Sequence, residues 1–279
     1  MSWLFLLACG GDVQQVSVGG YHSCVLREDS SITCWGIEDD GREEDERQVT
    51  NAPAEGRFAL VASGLRHVCV LVVGGVPACW GDDLFGQASP PDDSRFDALA
   101  LGDEHTCGLD GRDITCWGRD LEGQLEVPEG SYTAVSAGSN HSCAIDTDKQ
   151  LVCWGEGADG QTDAPEGDWV EVSAGGRHSC AIDTDDAVSC WGNNDEGQTT
   201  TSSGVFLSVA AGAEHTCVLA NDETARCWGS DALKQSTTIP GEYTSIEAGL
   251  GHTCALTTDG HAECWGDNTW GQTEPPPDG

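Results

Sequence analysis

The residues with the most chemistry to offer come as a set, repeated seven times. Each copy holds a histidine, a cysteine two places later, and a second cysteine nine or ten residues beyond the first. The histidines are His22, His67, His105, His141, His178, His215 and His252. The cysteine pairs are Cys24 with Cys34, Cys69 with Cys79, Cys107 with Cys116, Cys143 with Cys153, Cys180 with Cys190, Cys217 with Cys227, and Cys254 with Cys264. A tryptophan follows each second cysteine in a Cys-Trp-Gly triplet: Trp35, Trp80, Trp117, Trp154, Trp191, Trp228 and Trp265. Three chemistries fit these types at this spacing. A polar turn lies midway between the members of each pair, so the two sulfurs should face each other across one hairpin and can form a disulfide. Each such bond would close a loop of about ten residues, worth roughly 2–3 kcal/mol in the chain-entropy model. Alternatively, His-x-Cys with the later Cys offers three ligands to zinc and leaves one position open. As free thiols in a reducing cytosol the cysteines would be small buried apolar groups. The seven histidines are expected to be buried and hydrogen-bonded to backbone. His261 falls outside the pattern and is expected in an exposed turn.

Charge narrows the partners. Asp and Glu number 48 against 12 Lys and Arg, a net charge of −36. That balance argues against nucleic acid, which needs a basic footprint, and against adsorption to anionic lipid. No G-x-S-x-G, H-E-x-x-H or phosphate-binding loop occurs, so no enzyme activity is expected. A carboxylate-based glycoside hydrolase stays as an alternative, because acidic side chains are abundant, though nothing singles out a pair. The segments after each Trp are rich in Asp and Asn: Asp82-Asp83, Asp120, Asp159, Asn193-Asn194-Asp195, Asp231 and Asp267-Asn268. Such oxygens could take calcium, but the default for Asx residues in turns is bonding to their own backbone. No cofactor is expected.

These residues must be positioned by repeated elements. The tryptophans step by 45 and then five times by 37. The same period carries Gly-x-x-His (Gly19, Gly64, Gly102, Gly138, Gly175, Gly212, Gly249) and a Gln after the Trp (Gln87, Gln124, Gln161, Gln198, Gln235, Gln272). It also carries an aromatic residue six places before the motif Gly: Phe58, Phe96, Tyr132, Trp169, Phe206 and Tyr243, with Val13 in the first copy. Residues three and one before the motif Gly are mostly apolar, the alternation of a strand. The His segment and the Cys-Trp segment flank an Asp-rich turn, as in a hairpin. No sustained helical period occurs. Seven such units suit an all-β, seven-bladed β-propeller. The last unit stops at Gln272, and the chain begins with an unattached segment, Val13–Val18, so this N-terminal strand is expected to complete the last blade and close the ring. An open solenoid is the alternative.

The pattern Gly-x-x-His-Ser/Thr-Cys-Ala-Ile/Leu … Cys-Trp-Gly-x-Asn-x-x-Gly-Gln resembles the regulator of chromosome condensation repeat, over residues 13–272. The resemblance implies a propeller of seven four-stranded blades. Functions within the family diverge, from a nuclear regulator of a small GTPase and chromatin to secreted bacterial propellers, one of which inhibits a β-lactamase. A cysteine pair in every repeat and the strong acidity resemble the secreted or lipoprotein type more than the nuclear one. An intracellular nucleotide-exchange or regulatory interaction module is the alternative this family implies.

The fifteenth cysteine is Cys9, after Trp3-Leu4-Phe5-Leu6-Leu7-Ala8. The segment resembles a short bacterial lipoprotein signal, with Cys9 lipidated and residues 1–12 serving as signal and tether. Any contact with a membrane is then through that lipid, at the cell envelope or after secretion. Residues 13–272 form the single propeller domain and 273–279 a Pro-rich tail. The first repeat carries eight extra residues, including Glu43, Glu44, Asp45 and Glu46. This acidic insertion is a candidate partner loop, or a solvated insertion without a role. Aromatic residues outside the repeat positions (Trp270, Tyr21, Phe85) are candidate contacts, with Trp270 alternatively packed on Pro275–Pro277. The reading is a monomeric extracytoplasmic scaffold that presents loops to a protein or a surface polymer.

Overall fold

A computed structural model describes residues 13–37, 49, 52–53 and 56–276. Every regular element in them is a strand, and the strands group into seven three-stranded antiparallel sheets. In the first blade the inner strand is Val13–Val18, the middle strand His22–Arg27 and the outer strand Ile32–Gly36. In the seventh they are Tyr243–Ala248, His252–Thr257 and Ala262–Gly266. Inner strands start at the repeat aromatic, or at Val13, in six of the seven blades, and their second residue slips out of register with the middle strand. That bulge turns Val170 and Leu207 out to solvent.

The apolar core lies between blades. Cys24, Leu26 and Cys34 of the first blade pack with Phe58, Val61, Val68, Val70 and Trp80 of the second. Each sheet has one face for the blade before it and one for the blade after, so both faces of a short sheet are covered.

Two expectations are corrected. The blades have three strands, not four. The stretch after each Trp is held as a compact turn by its own Asx and Gln side chains, so it has no free backbone to extend a ladder. The N-terminal strand also does not complete the last blade: Val13–Val18 pairs with His22–Arg27 of its own repeat. The ring closes by contact between the first and last blades. Val13, Val16, Val18, Val25 and Trp35 share one core with Cys254, Leu256 and Ala262. Trp35 Nε1 donates to the Gln272 carbonyl at 2.9 Å, and Val13 N–H donates to the Gly260 carbonyl at 3.2 Å. Cys9 and the insertion residues Glu43, Glu44, Asp45 and Glu46 lie outside the described residues.

Strand direction fixes which loops share a face. The Gly-x-x-His loops and the turns after the Trp meet on one face, as Ile37 N–H to the Tyr21 carbonyl and Asp82 N–H to the Arg66 carbonyl show. The Asp-rich hairpin turns lie on the other, where they meet the start of the next inner strand.

Candidate functional site

The repeat His, Trp and Gln form a lock between neighbouring blades. His178 Nε2 lies 2.8 Å from Thr216 Oγ1 of the next blade. Thr216 in turn donates to the Gln198 carbonyl at 2.8 Å, which also accepts from Trp228 Nε1 at 2.8 Å. His67–Thr106, His105–Ser142, His141–Ser179, His215–Thr253 and, across the ring closure, His252–Ser23 repeat the first contact. The expected backbone partner is therefore a side-chain hydroxyl. In five of these six pairs the hydroxyl gives its proton to a Gln carbonyl, so the ring nitrogen facing it must carry one, and His67, His141, His178, His215 and His252 are Nε2–H tautomers. Burial pushes their pKa values from 6.5 down to about 3 or 4, so they are neutral at pH 7. His22 alone has neither ring nitrogen partnered, because the next blade carries Val68 where the others carry Ser or Thr.

The disulfide reading of the cysteines holds in every blade. Cys24 is bonded to Cys34, Cys69 to Cys79, Cys107 to Cys116, Cys143 to Cys153, Cys180 to Cys190, Cys217 to Cys227 and Cys254 to Cys264. The partners sit directly opposite each other on the middle and outer strands, with Cα–Cα distances of 4.0–4.1 Å. Burial is uneven within a pair. The middle-strand sulfurs lie fully inside, whereas Cys79, Cys116, Cys153, Cys190, Cys227 and Cys264 on the outer strands are only half-buried, which does not suit the free-thiol alternative of buried apolar groups. The sulfurs are consumed by these bonds, and the adjacent His Nε2 is committed to a hydroxyl wherever one is present. Among the described residues no three His, Cys, Asp or Glu side chains converge as a metal site would. Seven disulfides suit an oxidising setting rather than a reducing one.

The turns after the Trp are rigid. In most repeats the Asx four places before the repeat Gln caps the N–H just beyond it: Asp83 on Ala88, Asp120 on Leu125, Asn194 on Thr199, Asp231 on Ser236 and Asn268 on Thr273. The Gln side-chain oxygen accepts the N–H two places back, as from Phe85, Leu233 and Trp270. With its backbone fixed twice, each turn holds the residues two and three before the Gln outward. Those include Leu84, Phe85, Leu121, Leu233 and Trp270, exposed by 79, 40, 70, 48 and 40%. Leu250 adds a further exposed side chain from a Gly-x-x-His loop on the same face. Tyr21 lies under the Arg66 guanidinium at 5.5 Å and Phe85 under that of Arg119 at 5.9 Å, which orients both rings. Arg119 is itself held by Glu104 at 3.2 Å and Asn140 at 2.9 Å. The apolar side chains form an arc across the sixth, seventh, first, second and third blades. The fourth and fifth blades carry Ala158-Asp159 and Asp195-Glu196 at the same positions. The opposite face exposes only valines and one leucine among the large apolar residues described, at Val73, Val76, Val170, Val205 and Leu207. Trp270 and Phe85 are thus placed together with four leucines that sequence reasoning missed. For three of them, Leu84, Leu121 and Leu233, the available signal was an offset of two or three from the repeat Gln.

The inner strands line an axial lumen of about 290 Å³, which narrows to about 80 Å³ at the Gly-x-x-His loops. There the loops bond head to tail, for example Ser139 N–H to the Gly175 carbonyl at 3.1 Å and Gly176 N–H to the Gly212 carbonyl at 3.0 Å. A Cβ on Gly138 would run into the Gly175 carbonyl oxygen, which is why the repeat needs glycine at that approach. Polar side chains bridge adjacent inner strands inside the lumen. Gln15 pairs with both backbone groups of Val61, Glu171 accepts Val209 N–H at 2.9 Å, and Ser136 and Ser173 accept the N–H groups of Ala174 and Ala211. Glu247 occupies the strand position of those two serines. Protein surrounds it, and its exposed surface faces the lumen. Burial lifts its pKa to about 7, with the Glu171 charge adding to the rise; burial also raises Glu171 and Asp103.

Comparison with known proteins agrees with this geometry. The family model of the regulator of chromosome condensation (RCC1) repeat matches residues 13–42, 132–161, 169–198, 206–235 and 243–272, more than half of the chain. The chain is similar to the entire ectodomain of the Physcomitrella patens receptor kinase CR4, with a TM-score of 0.76 and 26% identity over 92% of this chain and 74% of that one. It is similar to the CRINKLY WD40 ectodomain of the Arabidopsis thaliana receptor kinase ACR4, with a TM-score of 0.75 and 25% identity over 92% of this chain and 96% of that one. Prp20p from Saccharomyces cerevisiae shares the fold, with a TM-score of 0.70 and 19% identity over 85% of this chain and 80% of that one.

Proposed function

This chain belongs to the family of proteins built from regulator of chromosome condensation (RCC1) repeats, and from that premise we propose that it is an extracellular protein-binding scaffold without catalytic activity of its own. The observation that carries the reading is the apolar arc on the loop face. Leu84, Phe85, Leu121, Leu233, Leu250 and Trp270 leave 40–79% of their surface exposed, and all but Leu250 stand on turns fixed from within by the repeat Gln. Rigid display of large apolar side chains lowers the ordering cost of binding, and aromatic anchors are typical of interface hot spots. Carboxylates border the arc, so the partner it suits is a protein surface that pairs apolar side chains with basic ones. Two further facts support the protein-binding reading. The relatives with solved structures include receptor ectodomains, and Prp20p is described with binding properties toward Gsp1p and histones. Lipid anchorage through Cys9 at a bacterial envelope is the finer form of the proposal.

The test is capture on the native cell surface. Wild-type protein and a triple variant carrying Leu84→Ser, Phe85→Ser and Trp270→Ser are cross-linked to intact cells, and the partner is mapped on the propeller by hydrogen exchange. The expected result is a partner that protects the loop face and is lost at least about tenfold in the variant, the usual scale for hot-spot residues. Equal capture by both proteins, or protection confined to the hairpin face, overturns the proposal.

A further inference from the structure

The axial lumen carries a feature that the fold does not use. Its wall polar groups are mostly committed to bridging blades: Gln15 to Val61, Ser136 to Ala174, Ser173 to Ala211, and one oxygen of Glu171 to Val209. Glu247 makes no such bridge, although it stands where Ser136 and Ser173 do. The hydroxyl of Ser63, which lines the same lumen, is also buried without a hydrogen-bond partner. No Lys, Arg or His lines either part of the passage. Leu60, Ala62, Ala100 and Ala210 supply apolar wall between the polar groups. The wider part of the lumen therefore offers two carboxylates, neither with a cation, along an otherwise partly apolar tube, with Asp103 beyond them at the loop-face end.

Height along the axis separates the two acids. Glu171 is the third residue of its inner strand, Trp169–Ala174, and Glu247 the fifth of its own, Tyr243–Ala248. At the rise of a strand this stagger is about 6.6 Å. A metal ion needs its ligands gathered at one point, and no three acidic or other metal-ligating side chains gather among the described residues. A linear chain with a cation at each end matches staggered carboxylates better. We propose that the lumen binds a linear alkyl diammonium, with one ammonium on Glu247, the other on the free oxygen of Glu171, and the methylenes against the alanine and leucine wall. The wider mouth, on the hairpin face, is the entry, because the loop-face end narrows to about 80 Å³. Charged hydrogen bonds are the strong kind, and the apolar wall accounts for a preference over hydrated inorganic ions.

The experiment is calorimetric titration of the intact protein with 1,5-diaminopentane, with butylamine and with calcium, at pH 8 and moderate salt. The expected result is one saturable diamine site per chain, with butylamine binding at least about tenfold more weakly for want of the second ion pair. Glu247→Gln is expected to weaken the diamine by about tenfold or more, and Glu171→Gln likewise, while Glu129→Gln on the outer surface leaves it unchanged. Thermal unfolding confirms that each variant is folded; Glu247→Gln breaks no contact of the ring. Diamine binding that is equal in wild type and Glu247→Gln overturns the proposal, as does a titration with no saturable site. A site that saturates with calcium and not with the diamine overturns the ligand class. None of these results bears on capture by the loop face, which uses different residues on the other side of the ring.

Discussion

Replacing Val68 by Thr should stabilise this protein, although Val68 is fully buried and polar substitutions in a core usually do harm. The inter-blade lock has one gap. Six of the repeat histidines place Nε2 2.8–2.9 Å from a hydroxyl of the next blade. His22 faces Val68 instead, and both of its ring nitrogens are unpartnered. A buried donor left unmade costs about 1–3 kcal/mol, and a net hydrogen bond contributes about 1 kcal/mol. Thr matches Val in shape, so it brings the hydroxyl without a clash, at the loss of one buried methyl worth about 0.8 kcal/mol. The net expectation is a gain of about 1 kcal/mol, which for a chain of this size raises Tm by roughly 2–4 °C. The same swap run backward at an equivalent position, Thr216→Val, strands His178 Nε2 and removes one donor from the Gln198 carbonyl. It should cost about 1–3 kcal/mol. Urea and thermal unfolding of both variants read the sign, and a slowly exchanging imidazole N–H in Val68→Thr identifies the new bond. If Val68→Thr destabilises as Thr216→Val does, packing outweighs the hydrogen bond here, and the lock is not the reason for the repeat histidine.

The remaining predictions concern acid and thiols. The seven imidazoles have folded pKa values of about 3–4 against an ordinary value of 6.5, so between those limits the unfolded chain holds protons the folded one does not. Stability must therefore fall as pH falls from 6.5, by up to roughly 1.4 kcal/mol per pH unit for each imidazole. Glu247, Glu171 and Asp103, with raised values, act in the opposite direction, but they are three against seven. Urea midpoints at pH 7.5, 6.5 and 5.5, in salt high enough to screen the charge of −36, should decline in that order; a constant or rising midpoint contradicts burial of neutral histidine. Removing one bridge with the double variant Cys180→Ser, Cys190→Ser should cost about 2–3 kcal/mol, read as a lower urea midpoint. Alkylation of the native protein should modify none of the fourteen repeat cysteines until a reductant is added; labelling before reduction would place the protein in a reducing compartment.

What was legible in the sequence was what repeats and what is local. The period of 37 with its Gly, His, Cys, Trp and Gln markers specifies the blade, and the turn between two cysteines specifies their pairing, because both are settled within one hairpin. Contacts between blades were not legible, although their residues were in view. The Ser or Thr after six of the seven motif His is part of the written pattern, yet its partner is the His of the preceding copy, 37 to 39 residues away except at the ring closure. The strand count failed for a related reason. A run of Asp, Gly and Gln reads equally as a turn or as a connection to a fourth strand, and the choice depends on Gln side chains folding back onto their own loop. The candidate functional residues are harder still, since repetition hides them. A leucine at 84 or 121 carries no signal alone, and among 48 acids nothing marks Glu171 or Glu247. The signal appears when the copies are laid against one another: a position that is Ser or Ala in six inner strands and Glu in one, or a turn that carries Asp on two blades and Leu, Phe or Trp on others. In a ring whose fold uses the same residue at each equivalent place, a departure that leaves the fold intact marks a residue released from the fold. Such residues here gather in two places, the lumen and one arc of the loop face.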